Sequence, residues 1–149
     1  MITEYVLGFA FSEPIGHFEV ALIKKTKPDW QAGKWNGIGG KIEKGEAPLD
    51  SMVREFKEET GVDTHPGIWQ PFAVMELTLA QVRCYAAYLL DHDFLSINTT
   101  TEEQVRRWDV YEVLDSEKVL PNLLWLVPMA ISRLRNPKSP RLIIYDAGH

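Results

Sequence analysis

Apolar and polar residues change their spacing along this chain, and the changes mark predicted strands and helices. Runs rich in apolar, β-branched and aromatic residues, bounded by turn residues, predict the strands. These strands cover Glu4–Phe11, His17–Lys25, Ile68–Leu79, Val82–Leu90 and Gln104–Val113, with a turn over Ser12–Gly16 and a last strand or ordered tail over Arg141–His149.

Between Pro48 and Gly61 the apolar residues are spaced with the period of a helix. Proline suits the first residue of a helix, and glycine suits the position just after its end. A second helix is predicted over Asn122–Leu134, although Pro128 lies inside it. In the first helix, apolar residues recur at i, i+3, i+4 and i+7 and form one stripe of Leu49, Met52, Val53 and Phe56.

Together these elements predict an α/β fold, because strands that alternate with two long helices favour a mixed β-sheet between helices. The length of 149 residues and the mass of 17.0 kDa predict one domain over residues 1–149, with a core of its own.

Composition narrows the functional classes. The net charge is −5, and a general nucleic-acid binder needs a basic face, so no polymeric nucleic acid is expected as a partner. The single cysteine, Cys84, excludes an internal disulfide and suits a reducing cytoplasm. No apolar run approaches the ~18 residues of a membrane span, and the first residues lack the features of a signal peptide. A cytoplasmic protein without a membrane partner is expected.

Three carboxylates form a second face of the first helix. Glu55, Glu58 and Glu59 are spaced i, i+3, i+4, so they project roughly a quarter turn from the apolar stripe. They crowd one another, and only Arg54 can neighbour Glu58 at i+4. A hard cation such as Mg2+ relieves such crowding and bridges carboxylates to phosphate oxygens. The alternative interpretation is a salt-bridged surface helix.

A glycine-rich loop, Trp35–Lys41, comes immediately before this acidic segment. Its backbone can approach a ligand closely because glycine has no side chain. Lys41 can meet a phosphate as a point charge. Most glycine-rich loops are simple turns, so this one gains its weight from its position.

The segment Gly40–Val62 fits the pattern G-x5-E-x7-R-E-U-x-E-E-x-G-U, in which U is a bulky apolar residue. Every fixed position matches: Gly40, Glu46, Arg54, Glu55, Phe56, Glu58, Glu59, Gly61 and Val62. This is the Nudix box, and the chain resembles the Nudix hydrolases, which cleave nucleoside diphosphates linked to another moiety, usually with magnesium.

The resemblance implies a Nudix α/β/α sandwich with a mixed sheet between helices. It also implies Mg2+, with Mn2+ as a possible substitute, held by Glu55, Glu58, Glu59 and the backbone at Gly40. In the family, the residue at Glu46 supports the loop and the helix, and the arginine at Arg54 orients a metal-binding glutamate. Homodimers are common in the family, so a homodimer is a possible state.

Nudix enzymes commonly draw one more acid from a loop outside the box. Glu102 and Glu103 are the best matches, with Glu102 as a metal ligand or Glu103 as a catalytic acid or base; both can also be ordinary loop carboxylates. Asp91 and Asp93 are weaker candidates.

Substrate-binding candidates lie elsewhere in the chain. Asn122 sits where MutT-like members read the base and offers both a donor and an acceptor, but asparagine also caps helices. Trp35 and Trp125 can stack on a base or belong to the core. Lys24 and Lys25 can approach phosphates or form a solvated pair.

We expect a MutT-like enzyme that uses water to split nucleoside triphosphates, including modified or oxidised ones, into monophosphate and pyrophosphate. The stretch Glu76–Ala80 lacks the proline and the tyrosine found beyond the box in ADP-ribose and dinucleoside polyphosphate members. The alternatives are a Nudix hydrolase of ADP-ribose, nucleotide sugars or dinucleoside polyphosphates, and a non-catalytic nucleotide-binding domain.

Overall fold

A computed structural model describes residues 1–14 and 17–146 of the chain. Within these residues, eight strands form one sheet: β1 Thr3–Phe11, β2 Glu19–Lys24, β3 Trp35–Asn36, β4 Ile38–Lys41, β5 Gln70–Glu76, β6 Ala80–Tyr88, β7 Val105–Asp109 and β8 Leu142–Tyr145. The described ranges also contain four α-helices: α1 Pro48–Thr60, α2 Asp91–Leu95, α3 Val110–Leu114 and α4 Leu123–Arg135.

The sheet is mixed, as the sequence predicts. Its order is β3-β2-β1-β6-β5-β8, with β4 paired to β1 and β7 paired to β2. β1 runs parallel to β6, and β5 runs parallel to β8, whereas the other pairs are antiparallel. Because β1 lies at the centre of the sheet, its side chains divide the interior into two cores.

Alternate residues of β1 point to opposite faces of the sheet. Phe9 and its same-face neighbours pack with α4, which buries Leu126 and Val127. Ala10 packs on the other face with α1, together with the buried stripe residues Met52 and Phe56. Helices therefore cover both faces, which confirms the predicted α/β/α sandwich.

Helix α1 begins and ends where the sequence predicts. Pro48 is its first residue, and Gly61 follows its last residue with a φ of 80°, a left-handed conformation that glycine adopts without strain. The Gly61 N–H donates to the Lys57 carbonyl at 2.9 Å. Phe56 meets Trp69 edge-on at 5.2 Å between ring centroids, so its burial contributes about 1.5–3 kcal/mol to holding α1 on the sheet.

One predicted strand is wrong over its second half. The sequence predicts an extended Gln104–Val113, but β7 ends at Asp109 and α3 follows. The Asp109 carboxylate accepts hydrogen bonds from the N–H groups of Tyr111 at 2.9 Å and Glu112 at 3.3 Å. This N-cap outweighs the strand propensity of the following residues.

The remaining differences between the predicted and the observed elements concern where the strands begin and end. The predicted pair Ile68–Leu79 and Val82–Leu90 forms β5 and β6, joined by a tight turn in which the Leu77 N–H donates to the Ala80 carbonyl. The last predicted strand exists as β8, while residues 147–149 lie outside the described ranges. The predicted turn Ser12–Gly16 includes residues 15 and 16, which also lie outside them. Among the described helices, none combines the length and apolar character needed to cross a membrane.

Candidate active site

Arg54 links the loop before α1 to the carboxylates on that helix. Its Nε and Nη2 donate to the two carboxylate oxygens of Glu46 at 2.7 and 2.9 Å, and its Nη1 donates to Glu55 at 2.9 Å. Glu46 also accepts from the Glu43 N–H at 3.1 Å. The hydrogen bond from Arg54 is the main reason that the pKa of Glu46 falls to about 2. Glu46 and Arg54 thus fix the loop and Glu55 relative to each other.

Glu55 lies directly against the glycine-rich segment Trp35–Lys41, which the sequence predicts as a loop but which forms the short strands β3 and β4 in the structure. A Cβ built on Gly40 would sit 2.4 Å from the Glu55 carboxylate, so the carboxylate occupies the space that a side chain at residue 40 would need. The Glu55 side chain is only 13% exposed, and burial raises its pKa. The absence of a side chain at residue 40 therefore sets the position of this acid.

Glu59 is half-buried, and its Oε2 atom is buried without a hydrogen-bond partner. Burial, followed by the like charge of Glu55, raises the pKa of Glu59 to about 8. The positive charge of Lys25 opposes this shift, and the negative charge of Glu103 adds to it. The third box acid, Glu58, differs because its side chain is 55% exposed and lies 3.3 Å from Arg54.

These three acids fit a divalent cation. In the described ranges, no group of three His, Cys, Asp or Glu side chains is already arranged to hold a metal ion. The negative charge of Glu55 nevertheless raises the pKa of Glu59, and Glu59 has an oxygen without a partner. The exposed Glu58 can change rotamer without moving the backbone. Oxygen-rich, anionic sites of this kind suit hard cations.

A cleft of about 440 Å³ lies beside the glycine-rich loop. Its walls are mainly apolar, with Tyr5, Leu7 and Met75 among them, and Trp30 stands at the wall with 73% of its surface exposed. Lys25 is the only charged side chain among the described residues that line the cleft. An apolar cleft with a few polar groups suits an organic ligand such as a nucleoside.

Asn122 lines this cleft and does not cap α4 with its side chain. Its Oδ1 atom is buried and has no hydrogen-bond partner. The capping role that the sequence also allows is therefore not used by this side chain, and ligand binding by Asn122 stays a prediction. Asn36 also lines the cleft, where its Oδ1 accepts from the Gly37 N–H at 2.8 Å. Sequence reasoning missed Asn36 and Trp30, because no spacing shows which side of a loop faces a cleft.

Trp35 belongs to the core and not to the cleft. It is 7% exposed and meets Trp108 edge-on at 5.4 Å, with the Arg106 guanidinium 3.8 Å from the centroid of Trp108. Of the two roles that the sequence leaves open for Trp35, stacking on a base or packing in the core, the structure shows the core position, because pairing of β3 with β2 turns its ring into the core on the α4 side. Trp125 is 41% exposed on α4 and is not among the described residues that line the cleft.

The other predicted residues occupy different surroundings. Lys41 is exposed and contributes its carbonyl to Arg54 at 3.1 Å, and it is absent from the described wall of the cleft. Glu102 is exposed and does not line the cleft; it lies with Lys24 and Lys25 in a shallow depression, and Lys25 lines both. Asp91 and Asp93 lie on α2, where Asp93 pairs with the adjacent His92 at 3.2 Å.

Glu103 is held by Lys25 and Thr26, the two residues that follow β2. Its Oε2 accepts from the Thr26 N–H at 2.6 Å and the Thr26 hydroxyl at 3.0 Å, and its Oε1 accepts from Lys25 Nζ at 3.3 Å. Burial raises the pKa of Glu103, but the bonds from Thr26 and the charge of Lys25 outweigh it and leave the pKa lowered. The carboxylate is therefore charged and already engaged.

Comparison with known proteins identifies the family of this chain. The sequence profile of the NUDIX domain matches residues 6–125. The chain belongs to the Nudix family. It is 43% identical over 44 residues to the uncharacterized Nudix hydrolase YvcI of Bacillus subtilis, and 47% identical over 45 residues to the oxidized purine nucleoside triphosphate hydrolase of Mus musculus. These matches cover 30% and 29% of this chain and only 25% and 29% of the two relatives.

Solved structures share the fold at low sequence identity. The NUDIX domain of Shewanella oneidensis NrtR, a cocrystal with ADP ribose, has a TM-score of 0.71 at 18% identity, over 90% of this chain and 89% of that one. A C. elegans Ap4A hydrolase has a TM-score of 0.67 at 15% identity, over 90% of this chain and 98% of that one.

Another neighbour bears on the expected partners. Shewanella oneidensis NrtR complexed with a 27mer DNA matches with a TM-score of 0.69 at 19% identity, over 87% of this chain and 61% of that one. A Nudix domain can thus be part of a DNA-bound protein, and the fold gives no support to the expected absence of nucleic acid. That expectation rests on the net charge of −5 alone and stays a prediction.

Proposed function

We propose that this Nudix-family chain is a divalent-cation-dependent hydrolase that splits nucleoside triphosphates into a monophosphate and pyrophosphate. The observation that carries the proposal is the pairing of an acidic helix face with an apolar cleft across one glycine-rich loop. The likeness to an oxidized purine nucleoside triphosphate hydrolase over the box region supports the choice of substrate class. We include modified and oxidised triphosphates among the substrates.

Each group has a chemical task in this proposal. Glu55, Glu58 and Glu59 would hold Mg2+ or Mn2+, which neutralises phosphate charge and activates water when bound. Arg54 keeps Glu55 against the loop, so this acid needs little reorganisation when substrate arrives. The buried amide oxygen of Asn122 gives a base a hydrogen-bond acceptor inside the cleft, while the apolar wall excludes water from the base.

A substrate screen with millimolar Mg2+ tests the proposal. It covers canonical and oxidised nucleoside triphosphates, ADP-ribose, nucleotide sugars and dinucleoside polyphosphates, with products separated by chromatography. We expect one monophosphate and one pyrophosphate per triphosphate. Glu59→Gln should lower kcat by at least about 10²-fold while leaving the unfolding midpoint near that of the wild type, because it removes a carboxylate that would hold the cation at the phosphates.

The matched control is Glu117→Gln, which neutralises an exposed glutamate outside the described site and should keep full activity. Turnover confined to ADP-ribose or dinucleoside polyphosphates would retain the acidic site and reject the triphosphate proposal. Full activity of Glu59→Gln would reject the assignment of the metal-binding face. The cytoplasmic location and the homodimer remain predictions.

A further inference from the structure

Lys25 is held in place at the cleft by its backbone as well as its side chain. Its N–H donates to the Lys34 carbonyl at 2.8 Å, and its own carbonyl accepts from the Gly33 N–H at 2.8 Å. Its side chain is 19% exposed and reaches Glu103 at 3.3 Å. A freely solvated lysine would be far more exposed and would sample many rotamers, so this ammonium group is preorganised.

Glu103 holds Lys25 but does not line the cleft in the described structure. Its side chain is 12% exposed, because the backbone and hydroxyl of Thr26 bind one of its carboxylate oxygens. The segment before it is anchored to the end of α1, where the Asn98 N–H donates to the Thr60 carbonyl at 3.1 Å and the Thr100 hydroxyl donates to the Glu58 carbonyl. The acidic helix and Lys25 are therefore connected through one loop.

The ammonium group keeps donors available for a ligand. Lysine has three N–H donors, and in the part of the chain that the structure describes only Glu103 accepts from Lys25 Nζ. We propose that Lys25 forms an anion subsite that binds a phosphate group of the substrate, and that Glu103 is the positioning residue that holds Lys25 at this subsite. That the natural ligand is a nucleoside triphosphate rests on the proposed function. The subsite itself can be tested without it, through the affinity of the protein for polyphosphate.

The direction in which Glu103→Gln changes the affinity for anions distinguishes a positioning role from a purely electrostatic one. Glu103 carries a negative charge near the subsite, so removing that charge without any other change would strengthen anion binding. If Glu103 positions Lys25, its replacement by glutamine weakens anion binding instead, because the ammonium loses its fixed place. If Glu103 were a metal ligand, the same replacement would weaken metal binding in the absence of any anion.

Calorimetric titration with inorganic tripolyphosphate, with Ca2+ present to occupy the acidic helix, measures the subsite without requiring turnover. Lys25→Met should weaken tripolyphosphate binding by about tenfold or more, and Lys25→Arg should recover most of the affinity because it keeps the charge. The matched control is Lys24→Met, which removes an exposed charge outside the cleft and should change affinity by less than about twofold. Thermal unfolding of each variant checks the fold, and Lys25→Gln serves as a second charge-removing variant.

Glu103→Gln should weaken tripolyphosphate binding in the wild-type background and have no further effect when combined with Lys25→Met. Titration of Mn2+ alone should give the wild-type affinity for Glu103→Gln. Unchanged affinity in both Lys25→Met and Lys25→Gln would overturn the subsite. Tighter anion binding by Glu103→Gln, or weaker binding of Mn2+ alone, would overturn the positioning role. A wild-type protein that binds tripolyphosphate but splits no triphosphate would reject the proposed function and leave the subsite standing.

Discussion

Gly40 has no side chain, and this leaves space for the carboxylate of Glu55 beside the backbone. The Glu55 carboxylate fills the volume that any other side chain at residue 40 would occupy. The obstacle is the end of a flexible side chain, so the fold can adapt to a larger residue by moving Glu55. A change at residue 40 should therefore affect the acid far more than the fold.

We predict that Gly40→Ala lowers kcat by about 10²-fold, because a shift of about 1 Å in a positioned group costs that much. Its free energy of unfolding should stay within about 1 kcal/mol of the wild type. Steady-state kinetics and urea unfolding on the same preparation measure the two effects.

The neighbouring Gly39→Ala is the contrasting variant. A Cβ at Gly39 would lie 2.0 Å from the Val6 carbonyl oxygen, so backbone must move, and a loss of about 1–3 kcal/mol or more is expected. If Gly40→Ala instead unfolded as readily as Gly39→Ala, the Glu55 carboxylate would not be the group that yields.

At the scale of elements, the end of α1 is built around the left-handed residue Gly61. Its missing side chain also leaves room for the loop that leads to Glu103. A Cβ there would lie 3.3 Å from both Asn98 Nδ2 and Thr100 Cγ2. Gly61 therefore serves the helix end and the loop contact at once.

Gly61→Ala should lower the free energy of unfolding by about 1–2 kcal/mol through backbone strain, and by a further amount through its contacts with the loop. Gly33→Ala is the matched control, since Gly33 has a φ of 83° and a Cβ added to it would meet nothing within 4 Å. Urea unfolding of both variants separates strain from contact. Equal losses in the two variants would show that the loop yields freely to the added methyl group.

At the scale of the whole molecule, a single sheet separates two apolar cores. The α1 core and the α4 core are both built on β1, whose successive residues enter one core and then the other. Loss of packing on one face should therefore weaken the other face as well.

Phe56→Ala tests this coupling, because Phe56 is fully buried beneath α1. It should lower the free energy of unfolding by about 3–5 kcal/mol. In Phe56→Ala, the amides of α4 and β1 should both exchange faster than in the wild type, because both elements open together with the whole molecule. Leu126→Ala, a change in α4, should likewise speed amide exchange in α1. Unchanged protection of α4 in Phe56→Ala would mean that the two cores open independently.

The periodic elements and the acidic helix follow from local order along the chain. The bounds of α1 follow from Pro48 and Gly61, and its two faces follow from helical geometry, because both depend only on neighbours along the chain. The mixed sheet between helices follows from the order of strands and helices. The Asp109 cap could also have been found from local chemistry, but the apolar residues after it masked the signal.

Which polar groups face the cleft and which are engaged elsewhere depends on contacts between distant segments of the folded chain. Trp35 lies in the core, Lys25 and Asn122 line the cleft, and Glu103 binds Thr26 and Lys25, a pairing between residues 78 positions apart in the case of Lys25. Strand pairing sets these neighbours, and the spacing of residues along one segment carries no information about a partner so far away. The spacing of the box therefore predicts an acidic site but not the burial of each acid. Glu58 is exposed and Glu59 is half-buried, because their burial depends on the segments that pack around them.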